Sequence, residues 1–189
     1  MNKNSFWGRF LDFGMNQAVW ILLVLSILVM GMFQPSFYSF GILTNILIQA
    51  TVLGLLSISI SMIIILGDIN LATVGTAGFS ALVGVLALKA GLPAILAILL
   101  TIFFGGLIGL VVGLIVAKLR ANALITTLAA NMVLAGGILA ITGGKSAGQL
   151  PESYKWVSQG SIGPVPVLPI VLVLVFTMFH IIWTRTSFG

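Results

Sequence analysis

Cysteine is absent from this 189-residue chain, and histidine occurs once, as His180. Disulfides and thiolate metal sites are therefore excluded, and with three carboxylates in the whole chain a cage of protein ligands for a metal has too few members. Charge is also scarce: 6% of residues carry it, against roughly a quarter in a soluble domain. The formal net charge of +5 does not point to nucleic acid, because the basic residues sit at the ends of apolar runs, where Lys and Arg set membrane orientation. A Ser/His/Asp set, paired carboxylates, a phosphate-cradling loop and a Walker lysine are all missing. The chain therefore has no means of hydrolysing ATP itself, and no catalytic residue or cofactor is expected.

What is present is apolar, at 60% of the sequence. Long uncharged stretches separate Asp12, Asp68, Lys89, Lys118, Lys145 and, after Lys155, Arg185. Each can cross a bilayer, since about 20 helical residues at about 1.5 Å rise cover the hydrocarbon core. The longest stretch is divided by the polar, proline-containing break at Gln34, Pro35, Ser36 and Ser39 and holds two crossings. The predicted spans are 17–33, 42–66, 69–88, 93–117, 123–142 and 167–184. They specify an all-α, polytopic membrane helix bundle that forms one membrane domain over residues 1–189. Lys3 and Arg9 precede an apolar run that lacks a small-residue cleavage pattern, so the first span reads as a retained signal anchor. With the N-terminus in the cytoplasm, Lys3, Arg9, Lys118, Arg120 and Arg185 fall inside and Lys89, Lys145 and Lys155 outside.

Several polar residues interrupt the apolar spans. Asn45, Gln49, Ser57 and Ser61 recur at spacings of four or eight, a stripe that either lines a translocation path or bonds helix to helix. Asp68 and Asn70 lie in Gly67-Asp68-Ile69-Asn70-Leu71-Ala72-Thr73-Val74-Gly75, a short polar break between long apolar runs. Both are good N-cap types for the third helix, and a helix start inside a bundle also offers N–H donors to a solute. Asn131 sits mid-span in the fifth helix after Thr126 and Thr127, as interhelical glue or as a solute contact. Gly105, Gly109, Gly113 and Ala117 recur every four residues and predict a smooth face for close helix packing, matched by Ala72, Thr76, Ser80 and Gly84 on the third span. The polar loop from Gly143 to Pro166 carries Glu152, Tyr154, Lys155 and Trp156, which serve either as an aromatic anchor at the headgroups or as a docking surface. His180, within about a turn or two of Arg185, is assigned no catalytic role.

Three ordered segments resemble the permease subunits of bacterial ABC importers for monosaccharides of the ribose, arabinose, xylose and galactose type. The first runs from Asn45-Ile46-Leu47-Ile48-Gln49-Ala50 through Leu53-Gly54-Leu55-Leu56 to the break at 67–75, where the family usually reads Gly-Gly-Ile-Asp-Leu-Ser-Val-Gly. Here Asp68 stands for a glycine and Asn70 for the aspartate. The second is Gly113 to Asn122, continuing into Ile125-Thr126-Thr127-Leu128. The third joins Thr142-Gly143-Gly144, Leu150-Pro151, Pro164-Val165-Pro166 and Arg185-Thr186-Ser187-Phe188-Gly189.

The resemblance implies a permease subunit that moves a monosaccharide across the inner membrane, with a second permease chain, a cytoplasmic ABC ATPase and an extracytoplasmic sugar-binding protein as partners. The polar residues Asn45, Gln49, Ser57, Ser61, Asp68, Asn70 and Asn131 are the expected substrate path in such a permease, and Glu152, Lys155 and Trp156 of the outer loop are expected to meet the binding protein. Family members are longer and continue beyond the Thr-x-Phe-Gly motif, so the chain reads as an N-terminal part of the bundle, incomplete at its C-terminus. The related branched-chain amino-acid permease is the alternative within transport. A membrane anchor or assembly scaffold is the alternative outside it.

Overall fold

The computed structural model describes residues 17–145, 160–162 and 165–185. Its elements are six apolar helices: α1 (Ala18–Phe33), α2 (Phe40–Ile65), α3 (Thr73–Lys89), α4 (Ala94–Leu119), α5 (Ala123–Thr142) and α6 (Val167–Arg185). Four of them, α2, α4, α5 and α6, are long and apolar enough to cross a membrane, while α1 and α3 are shorter apolar helices. An antiparallel bridge of two-residue strands, β1 (Ser161–Ile162) and β2 (Val165–Pro166), precedes α6, with Ser161 opposite Pro166. Large apolar side chains are exposed along every helix, as expected where lipid or neighbouring helices replace water.

The chain divides into two compact units, Met1–Leu47 and Ile48–Gly189. In the first, α1 ends where the Gln34 N–H donates to Met30 O, and Pro35 opens a single 3-10 turn through Tyr38. Pro35 has no N–H to continue a helix, which is why the predicted break falls there. The Tyr38 hydroxyl donates to Ile27 O at 3.3 Å, and its ring lies against Gly31, where a Cβ would overlap it.

In the second unit the helix ends are built from the expected residue types. Gly67 at φ +88° ends α2: its N–H donates to Ile64 O (2.9 Å) and the Asp68 N–H reaches Ile63 O (3.1 Å). These paired bonds are the Schellman arrangement, which needs a residue in the left-handed region. Gly91 (φ +85°) closes α3 in the same way, through Leu88 O and Ala87 O, before Pro93 caps α4. Asn122 accepts the Ile125 N–H at 3.2 Å and caps α5, which ends at Gly143 (φ +62°).

The third helix starts four residues later than the predicted 69. Two backbone donors explain the delay: the Leu71 N–H is taken by the Thr127 hydroxyl (3.0 Å) and the Ala72 N–H by Asn70 Oδ1 (2.8 Å). With those groups satisfied outside a helix, residues 66–72 stay non-helical. Asp68 and Asn70 consequently do not cap α3, whose N-cap position is Ala72 without a side-chain cap. Asn70 bonds two residues along, within the break itself.

Close packing centres on α3, which lies mainly against α4 and then against α5. Small residues permit it. A Cβ on Gly84 would overlap the Thr101 hydroxyl, and one on Gly75 would stand 2.5 Å from Asn131 Oδ1 and 3.3 Å from its backbone. Ala87, Leu88 and Ala97 form the small apolar core at the α3–α4 end, with Ala94 and Leu100 packed around it.

Candidate functional site

A cavity of about 750 Å³ opens among the second half of α2, the 66–72 interval, α3, α4 and the start of α5. That size lies within the range of small-molecule sites. Its polar groups come from four helices and the interval. Ser59 belongs to α2, Asp68 and Asn70 to the interval, Thr73, Thr76 and Ser80 to α3, Thr101 to α4 and Thr127 to α5. Leu56, Ile63, Val112 and Val116 supply apolar wall.

Helix geometry decides which hydroxyl groups can donate. Ser80 donates to Thr76 O (2.7 Å), Thr101 to Ala97 O (2.9 Å) and Thr127 to Ala123 O (2.8 Å), so each spends its proton on its own helix and keeps lone pairs. Asn70 is oriented the other way. Its Oδ1 is engaged by the Ala72 N–H, which leaves the amide N–H groups as its free end. Asp68, exposed and the sole charged side chain of the wall, contributes acceptors. The Thr73 hydroxyl oxygen is buried and has no hydrogen-bond partner among the described residues. The wall thus offers both acceptors and donors, a pattern matched by a solute dense in hydroxyl groups.

The glycine stripe of α4 shapes this space. A Cβ on Gly105 would meet Ser80 Oγ at 3.3 Å, whereas at Gly109 and Gly113 nothing lies within 4 Å. All three border the cavity, so their missing side chains contribute volume.

Of the path residues named from sequence, Asp68 and Asn70 line the cavity, and the small-residue faces predicted for packing contribute Thr76, Ser80, Gly105, Gly109 and Gly113 to it. Asn45, Gln49, Ser57 and Ser61 are exposed on α2 and do not line it. Ser57 donates to Leu53 O at 2.8 Å. Asn131 is half-buried against Gly75, at the α3–α5 contact. Glu152, Lys155 and Trp156 lie outside the described residues. Ser59 and Thr101 were not singled out. Ser59 is two positions from Ser57 and Ser61, hence about 200° around the helix from each. Thr101 follows no polar periodicity, and its place is set by packing against Gly84.

Residues 42–189 match the family described as the permease component of the branched-chain amino acid transport system. The chain belongs to that family. The permease is similar over 93% of its length to the autoinducer 2 import system permease protein LsrD of Escherichia coli (strain K12), at 25% identity over 181 residues. The LsrD protein of Enterobacter sp. (strain 638) is 29% identical over 176 residues, 89% of this chain. In both cases the permease spans about half of the relative, 54% of its length. No solved structure matches the chain. The family is one of permease components of transport systems, and the match agrees with the motifs read from the sequence and with the four helices long and apolar enough to cross a membrane.

Proposed function

We propose that this permease contributes the early helices of an ATP-driven importer and that a small polyhydroxylated solute, a monosaccharide or close relative, passes through the cavity bordered by Asp68 and Asn70. The observation that carries the reading is the composition of that wall: one carboxylate, one carboxamide with its N–H groups free, and hydroxyl groups from four helices. A neutral polyol satisfies such a wall group by group. Similarity to permeases of an autoinducer 2 import system supports an importer of this general kind.

In this reading the chain resides in the bacterial inner membrane with its N-terminus in the cytoplasm. It pairs with a second permease chain and with cytoplasmic ATPases, and an extracytoplasmic binding protein delivers the solute near Glu152, Lys155 and Trp156. The exposed Asn45, Gln49, Ser57 and Ser61 are then available to the partner chain. Asn131 supports the path indirectly by holding α5 to α3. The test is uptake of labelled ribose and labelled leucine by vesicles containing the complete importer. Ribose uptake that depends on ATP is expected, and uptake of leucine alone would overturn the proposal.

A further inference from the structure

The Thr127 hydroxyl stands where two parts of the chain meet. It is the polar end of a residue only 4% exposed, and its oxygen lies within bonding distance of its own helix and of the 66–72 interval. A hydroxyl has one proton, and the shorter contact, 2.8 Å to Ala123 O, holds it. The lone pairs then accept the Leu71 N–H at 3.0 Å, while Ile69 O stands 3.4 Å away. Leu71 and Ile69 flank Asn70, whose own oxygen is tied to the Ala72 N–H. The interval is therefore fastened on α5 at Leu71 and folded on itself at Ala72, and between those ties Asn70 is held with its amide N–H groups free at the cavity.

We propose that Thr127 is a positioning residue. It holds residues 69–72 against α5 and so determines that Asn70 presents hydrogen-bond donors to the solute. This deepens the transport reading above and rests on it for the identity of the cavity as a solute path. Methyl groups of the same shape cannot replace the hydroxyl, because the Leu71 N–H would then lose its acceptor beside the cavity. Serine can, since the oxygen alone makes the contact.

Hydrogen exchange on the full chain in lipid nanodiscs tests the fastening without any transport step. Thr127→Val and Thr127→Ala are expected to speed exchange in peptides covering 67–72 about tenfold, the loss of roughly one backbone hydrogen bond. Peptides covering Leu82–Leu88 should keep their rates, and Thr127→Ser should restore the interval. Unchanged exchange in the interval, a serine variant as fast as the valine one, or equal acceleration of the α3 peptides in both non-hydroxyl variants would each overturn the proposal. In the complete importer, Thr127→Val and Asn70→Ala should then be non-additive in ribose uptake, and fully additive losses would show that Thr127 does not act through Asn70. Faster exchange as expected, with ribose uptake absent in the parent importer, would instead retire the transport reading and leave the fastening intact.

Discussion

Gly84 on α3 lies so close to Thr101 on α4 that a Cβ on the glycine would overlap the threonine hydroxyl. The backbone carbonyl of Ala97 stands 3.4 Å from the same point. The Thr101 hydroxyl meanwhile donates to Ala97 O at 2.9 Å, so the side chain facing Gly84 is held in place by its own helix. This approach lies beside the Ala87, Leu88 and Ala97 core, to which the same Ala97 belongs. In a membrane, where apolar burial adds little to helix association, such backbone approach is a main source of it.

Gly84→Ala is therefore expected to destabilise the bundle by about 1–3 kcal/mol through overpacking. Gly84→Leu should prevent the α3–α4 contact from forming. Reversible unfolding in mixed micelles checks the first. Unchanged stability of the alanine variant would mean that Thr101 can turn away at no cost.

Gly67 and Gly106 form a contrasting pair. Gly67 sits at φ +88° in the α2 terminus, so Gly67→Ala should cost about 1–2 kcal/mol although no atom lies near its Cβ position. Gly106 is inside α4 with open space around it, so Gly106→Ala should gain about 0.5–1 kcal/mol of helix stability. The same unfolding assay reads both, and equal signs would contradict the backbone argument.

Filling the cavity should stop transport while sparing the fold. Gly109→Leu and Gly113→Leu place side chains into space with no neighbour within 4 Å. In the complete importer the pair is expected to reduce ribose uptake at least about tenfold, with membrane abundance unchanged, because lost volume in a preformed site removes binding directly. Normal uptake would move the solute path elsewhere.

Within the same cavity, Asp68→Asn or Asn70→Ala should lower uptake about tenfold or more, the loss of one hydrogen bond to a charged or oriented group. Replacing Gln49, Ser57 and Ser61 together by alanine should change it much less, since none of the three lines the cavity. The reverse order would restore the α2 stripe as the path. Loss of abundance in the triple variant would favour the scaffold reading.

Charge reversal at Glu152 and Lys155 is expected to weaken stimulation by the binding protein, more at low than at high salt, as for charges that steer docking. Stimulation assays across a salt series check it. Unchanged stimulation would leave Trp156 as a headgroup anchor.

Among the described residues, the sequence by itself determined the order and approximate length of the apolar helices, because crossing a bilayer demands uninterrupted apolar runs and leaves charge only at their ends. It also determined the breaks, through Pro35, Gly67, Gly91 and Asn122, whose backbone preferences act locally. Tertiary structure alone decided where α3 begins, since the donor of Leu71 is satisfied by a threonine 56 positions away, and no local preference encodes that partner. It likewise decided which polar residues share a cavity. The regular stripe of Asn45, Gln49, Ser57 and Ser61 is conspicuous in sequence yet lies off the cavity, while Ser59 and Thr101 reach it through the way α2 and α4 are turned. The turn of α4 depends on contacts such as Gly84 with Thr101, which bring distant segments together by shape. A periodic pattern marks a face of one helix; the neighbour that covers it is chosen by packing.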